Sequence, residues 1–142
     1  HSQPDSSKIW QKRTLMPTPY ITKQEEDVPL QMRGKEVFKF AVGASTTEVE
    51  ALLKEIGMSK SDVSYYMVHQ ANLRIIDAIK KYLEEPDEKF PVNIQDHGNS
   101  SSASCAILLD ECNRKGMFKP GDILVFSAFG AGLLSAAAVL EW

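Results

Sequence analysis

Apolar positions along the chain fall into short runs and helical stripes, punctuated by glycine, proline and serine. Val49, Leu52, Leu53 and Ile56 recur at i, i+3, i+4 and i+7 and predict an amphipathic helix. Ser45 and Glu48 stand at capping-box spacing at its start, and Gly57 stops it. The bounded apolar run "YYMVH" (65–69) predicts a buried strand. In "ANLRIIDAIKKYLEE" the stripe Leu73, Ile76, Ile79 and Leu83 predicts a second helix, with Arg74, Asp77 and Lys81 outward and Pro86 ending it. "PVNIQ" predicts a strand, 101–116 a helix closed by Gly116, and "KPGD" a turn. "ILVFSAF" and "LLSAAAVLEW" predict two strands joined at Gly130, Ala131 and Gly132. The stretch "EVFKFAV" (36–42) fits either period. Phe38, Phe40 and Val42 alternate as in a strand, whereas Val37, Phe40 and Ala41 fit a helix face.

The resulting order is helix, strand, helix, strand, helix, strand, strand. It predicts an α/β fold with a mixed, mostly parallel sheet covered by helices and ending in an antiparallel hairpin. Consecutive apolar residues in "YYMV" and "ILVF" suit strands buried on both faces. Residues 1–31 hold four of the seven prolines and little periodicity. They are set apart as an N-terminal irregular segment, with a short strand in "SSKIWQKRT" and a loop in "PTPYITKQEEDVP", ahead of a domain at 32–142. So unorganised a start suggests a chain that begins partway through something larger.

Composition adds little to this pattern. The chain has 142 residues, 43% apolar and 25% charged, with a formal charge of −3. That is enough for one core, and it gives no global pull toward nucleic acid or an anionic membrane. Neither a leader pattern nor an 18-residue apolar run is present. The two cysteines, Cys105 and Cys112, would lie about 10.5 Å apart along a helix axis, too far for a disulfide. They are expected to be free thiols in a reducing cytoplasm, packed with Leu108 and Leu109 as small apolar residues.

Three predicted strand ends carry candidate chemistry. His69 ends one in "VHQAN", Asn99 follows another in "DHGN", and Phe129 ends a third before "GAG". Ligands of open α/β sheets bind at the carboxyl ends of strands. Singly, each residue has a plainer reading, a structural histidine or a turn. Jointly, histidine and asparagine can donate hydrogen bonds to one developing oxyanion such as a thioester enolate.

"VHQANLRII", "DHGNSSSAS" and "FSAFGAG", together with "GKEVFKFAV", resemble the C-terminal half of β-ketoacyl-acyl-carrier-protein synthase III, the condensing enzyme that begins bacterial type II fatty-acid synthesis. The likeness runs from about residue 30 to the end of the chain. It implies one half of a thiolase-like fold, with "EVFKFAV" helical. It implies acyl transfer from acyl-CoA to a cysteine and decarboxylative condensation with malonyl-acyl carrier protein, needing neither metal nor redox cofactor. His69 and Asn99 match two members of the family's Cys-His-Asn triad. Asn72 matches a residue lining the pantetheine channel, and Arg74 a basic residue at its mouth; Lys80, Lys81, Arg33 and Lys35 either extend that patch or, the plainer reading, form an ordinary solvated face. Phe129 and the N–H of Ala131 match the acyl-pocket wall and the oxyanion hole. His97 matches no role and is read as a turn residue.

Two departures qualify the match. Ala131 interrupts the usual glycine triplet, and "LLSAAAV" lacks a tryptophan common there, which bears on acyl-chain preference. The nucleophilic cysteine is expected in an N-terminal half outside this chain, so the chain alone is expected to be inactive. A half fold exposes apolar surface, so self-association as a homodimer is expected. Two other readings stay open, a non-catalytic module that binds CoA or carrier protein, and a related synthase of polyketide or secondary metabolism.

Overall fold

Successive residues of the strand Tyr65–Val68 feed two different packed layers, as a run buried on both faces requires. Tyr66 and Val68 join one apolar cluster and Met67 joins another. The computed structural model describes the backbone of residues 9–15 and, with side chains, residues 32–142. In chain order the elements are β1 (Ile9–Leu15), α1 (Gly34–Glu55), β2 (Tyr65–Val68), α2 (Leu73–Leu83), the short α3 (Ile94–His97), α4 (Ser104–Arg114), β3 (Ile123–Gly130) and β4 (Leu134–Glu141). The strands form one sheet in the order β1-β4-β3-β2.

β2 runs parallel to β3, with Tyr65 opposite Leu124 and Val68 opposite Ser127. β3 and β4 form the expected antiparallel hairpin, Gly130 opposite Leu134. β1 adds antiparallel to β4, Ile9 opposite Leu140. Thus the short strand expected in "SSKIWQKRT" is present as β1 and completes the sheet. The loop expected at "PTPYITKQEEDVP" lies outside the described residues.

The mixed α/β sheet is as expected, but it holds one parallel and two antiparallel pairs because "PVNIQ" is not a strand. The N–H of Asn93 donates to the buried Gln70 side chain (3.1 Å), not to a ladder, and Ile94 then opens α3. A short apolar run fits either period, and here the hydrogen-bond partner decides.

α1 and α2 cover one face of the sheet. Ala41, Val49, Leu52 and Leu53 pack with Ile76, Ile79 and Leu83 against Val125, Ala137 and Val139. α4 covers part of the other face, where Leu108 and Cys112 meet Met67 and Leu124. α1 is one helix of 22 residues, so "EVFKFAV" is helical and no new helix starts at Ser45. Ser45 and Glu48 are buried mid-helix on the same stripe as Ala41, Val49 and Leu52, and Glu48 Oε1 accepts from the Ser135 hydroxyl of β4 (2.7 Å). The capping-box spacing therefore reflects a buried cross-link and not a helix start. Thr46 supports the helix through this low-propensity stretch by donating back to Val42 O (2.9 Å).

The inward face of α2 also needs a correction. Leu73, expected inside, is 48% exposed, while Ile75 is buried with Ile76. Asn72 explains the offset. Its side chain caps the helix by accepting from Arg74 N (2.9 Å), which places Leu73 at the open first turn.

This packing predicts unequal costs along one helix. In denaturant titrations, Ile79→Ala should cost about 2–5 kcal/mol and Leu73→Ala under about 0.5 kcal/mol. Similar costs for the two would contradict the face assigned to α2.

Candidate active site

The parallel ladder of β2 and β3 extends one residue past β2, because His69 N–H donates to Ser127 O (2.8 Å). That bond sets the His69 ring at the carboxyl end of the parallel pair. Nδ1 lies 2.5 Å from Ser104 Oγ, at the first residue of α4. The ring also meets Phe129 edge-on, with centroids 5.1 Å apart and an interplanar angle of 65°. Burial lowers the His69 pKa below its ordinary value, since an apolar setting disfavours the imidazolium. The ring is therefore neutral near pH 7.

Gln70 follows and is fully buried. Its amide donates to Val68 O (2.8 Å), its oxygen accepts from Asn93 N, and its backbone N–H donates to Ser104 Oγ (3.3 Å). The Asn93 side chain then donates to Glu111 Oε2 on α4 (2.9 Å), and Glu111 Oε1 lies 2.5 Å from His97 Nε2. Two contacts to one carboxylate thus tether the "DHGN" loop to α4. His97, read as a turn residue, has a definite partner.

The turn itself follows from Gly98 and Asn99. Gly98 has φ +63°, a region that disfavours side chains. The Asn99 oxygen accepts from Ser101 N–H (3.0 Å), an Asx turn that leaves its amide N–H groups without a partner among the described residues. Asn99 is exposed and stands five residues before Ser104, the residue that contacts His69. No hydrogen bond joins Asn99 to His69 among the described residues. What they share is the loop and helix start of α4.

The other expected site residues divide. Phe129 packs on His69, and Ala131 is exposed in the connection between β3 and β4. Arg74 is exposed in the first turn of α2 with no ion pair among the described residues, beside the capping Asn72. Of the basic extensions, Lys80 is held between Asp77 (3.2 Å) and Asp87 (3.1 Å), and Arg33 pairs with Glu36 (3.3 Å). Lys35 and Lys81 are exposed.

The cysteines are free and do not resemble nucleophiles. Burial raises both thiol pKa values, and Cys105 points its sulfur at Met67 O (3.7 Å). No group of His, Cys, Asp and Glu among the described residues is placed to hold a metal ion. A cavity of about 210 Å³ lies at the opposite end of β2, between Tyr65, Glu88, Lys119 and Asp122, apart from this cluster.

Ser104, Gln70, Asn93 and Glu111 escape sequence reasoning. Ser104 is one of five serines and glycines in "GNSSSAS", and nothing local distinguishes it. Glu111 sits on a helix whose visible signal is its apolar stripe.

A mixed sheet with helices on both faces, and a histidine at the carboxyl end of its parallel pair bonded to the helix that follows the asparagine loop, defines a thiolase-like α/β domain. Residues 53–142, more than half of the chain, match the family model for the C-terminal part of 3-oxoacyl-acyl-carrier-protein synthase III, and the chain belongs to that family. It is 42% identical over 127 residues to the beta-ketoacyl-acyl-carrier-protein synthase III of Caldanaerobacter subterraneus subsp. tengcongensis, covering 89% of this chain and 38% of that protein. The Helicobacter pylori (strain Shi470) synthase III is 38% identical over 136 residues, covering 95% and 41%. The crystal structure of the Thermus thermophilus synthase III superimposes with a TM-score of 0.84 at 36% identity, covering 93% of this chain and 45% of that one. The chain thus spans about two fifths of the length of the curated relatives it matches.

The Glu111 tether gives a pH signature. Its carboxyl is held below the ordinary carboxylate value, first by the Asn93 amide and then by His97. A lowered folded-state pKa adds stability above the unfolded titration range, and that stability is lost as pH falls through the lower folded value. Wild type should therefore melt above Glu111→Gln at about pH 7, with the difference shrinking as pH falls below the ordinary glutamate range. Thermal melts across that range test it, and a pH-independent offset would refute the assignment.

Proposed function

We propose that this chain is the oxyanion-binding part of a β-ketoacyl-acyl-carrier-protein synthase III, which condenses an acyl-CoA starter with malonyl-acyl carrier protein at the start of fatty-acid synthesis. The observation that carries the proposal is a neutral, half-buried His69 at the carboxyl end of the parallel pair, bonded to Ser104 of the helix into which the Asn99 loop leads. Neutral donors of this kind suit an anion that forms during reaction and is absent beforehand.

In the proposed reaction the malonyl C–COO⁻ bond breaks and CO₂ leaves. The electron pair passes into the thioester, whose oxygen becomes an enolate accepting hydrogen bonds from His69 and Asn99. The enolate carbon then attacks an acyl-cysteine, forming the new C–C bond and releasing thiolate. That cysteine belongs to a part of the protein outside this chain, because Cys105 and Cys112 are directed into the packed interior around α4. Phe129 and the N–H of Ala131 border the acyl group, and Asn72 and Arg74 face the pantetheine and its phosphate. The partners are acyl-CoA, malonyl-acyl carrier protein, the polypeptide that carries the cysteine, and a second copy in a homodimer. The substrates arrive as thioesters, and no metal or redox group takes part.

A chimera tests this reading. Residues 32–142 replace the corresponding part of the Caldanaerobacter relative, and condensation and acyl transfer are measured separately. The chimera should condense, whereas the 142-residue chain alone should not. His69→Ala and Asn99→Ala should each lower condensation by roughly 10²–10³-fold while acyl transfer persists. Condensation retained in both variants removes the site assignment, and a chimera that binds thioesters without condensing them favours a non-catalytic module.

A further inference from the structure

We propose that Ser104 is a positioning residue for His69, donating its hydroxyl proton to Nδ1 and so fixing the imidazole in the tautomer that carries its proton on Nε2. Its consequence for condensation rests on the function proposed above, but the tautomer itself does not.

The assignment follows from counting protons around one buried oxygen. Ser104 is 2% exposed, and its Oγ has two nitrogen neighbours, His69 Nδ1 at 2.5 Å and the backbone N of Gln70 at 3.3 Å. The Gln70 N–H can only donate, so it takes one oxygen lone pair. The hydroxyl has one proton to place. If Nδ1 also donated, Oγ would receive two N–H groups and its own proton would need another acceptor. The other acceptor that the Ser104 hydroxyl meets among the described residues is the Cys105 sulfur, whose thiol pKa that contact lowers. The adjacent Cys105 sulfur is a weak acceptor already turned to Met67 O. Donation from Oγ to Nδ1 satisfies all three groups at once.

The ring is neutral, since burial disfavours its charged form, so exactly one nitrogen carries a proton and the choice has chemical weight. With Nδ1 accepting, Nε2–H is the donor, and Nε2 has no partner among the described residues. The opposite tautomer would turn a lone pair toward the same space, repelling an oxyanion. Ser104 can hold this setting because it is the first residue of α4, whose Leu108 and Cys112 are anchored in the core. Phe129 packs on the ring and restrains it from turning.

Long-range ¹H–¹⁵N correlation on the ¹⁵N-histidine-labelled 142-residue chain reads the tautomer directly. The wild-type His69 signals should show a neutral ring protonated only at Nε2. Ser104→Ala should give a mixture of tautomers, and Ser104→Thr, which keeps the hydroxyl, should restore the single form. A wild-type spectrum protonated at Nδ1 overturns the proposal, as does an unchanged single tautomer in Ser104→Ala. The wild-type spectrum decides the matter by itself if neither variant folds. A pure Nε2–H form in a protein whose His69→Ala chimera still condenses would leave the tautomer standing and remove only the function.

Discussion

The bond from His69 N–H to Ser127 O, one rung past the end of β2, is the constraint on which the site depends. It carries parallel pairing into His69, so the ring inherits the rigidity of two core strands. Because β3 is paired on its other side with β4, the Phe129 end of β3 is fixed too. α4 then closes the arrangement from the opposite face through Ser104. Three elements therefore define one imidazole, and none of its contacts depends on a free loop.

The "DHGN" loop is held differently, by polar groups in series that run from the buried Gln70 and Asn93 through the half-buried Glu111 to the exposed His97. Gln70 joins Val68 to Asn93, Asn93 joins Glu111, and Glu111 joins His97. A typical hydrogen bond contributes only about 1 kcal/mol net, but leaving a buried donor unpaired costs about 1–3 kcal/mol. The chain thus gains more in uniqueness than in stability, since a loop displaced from this geometry would strand the Gln70 amide. That asymmetry makes an exposed asparagine a defined feature.

Legibility in the sequence follows how local each signal is. β2, α2, α4 and the β3–β4 hairpin announce themselves by period, because each buries its apolar residues at its own repeat. α1 conceals half its length, since Gly43, Ser45 and Thr46 weaken the helical signal and Glu48 brings a charge-bearing side chain to a buried stripe. Among the described residues, the hydrogen-bond partner that explains that glutamate is Ser135, 87 residues away. "PVNIQ" has the composition of a strand and the hydrogen bonds of a loop, a distinction made by Gln70. His69 and Phe129 lie at the expected strand ends, whereas Asn99, expected to follow a strand, follows a loop and α3 instead, so only the family resemblance still singles it out. Ser104 and Glu111 were not visible, because what marks them is a partner 35 and 14 residues distant.

The electrostatics of the cluster favour neutral donors over nucleophiles. A nearby cation or a helix N-terminus can lower a thiol pKa, and Cys112 has Lys115 near it while Cys105 lies in the first turn of α4, yet burial is the larger influence and raises both thiols. The same desolvation keeps His69 uncharged, so it offers no imidazolium to stabilise a resting thiolate. A neutral N–H gains little against a neutral ground state and much against an anion that appears midway. Burial thus favours the uncharged forms of His69, Cys105 and Cys112, whereas the Glu111 carboxylate that tethers the neighbouring loop is favoured in its charged form by the groups that donate to it.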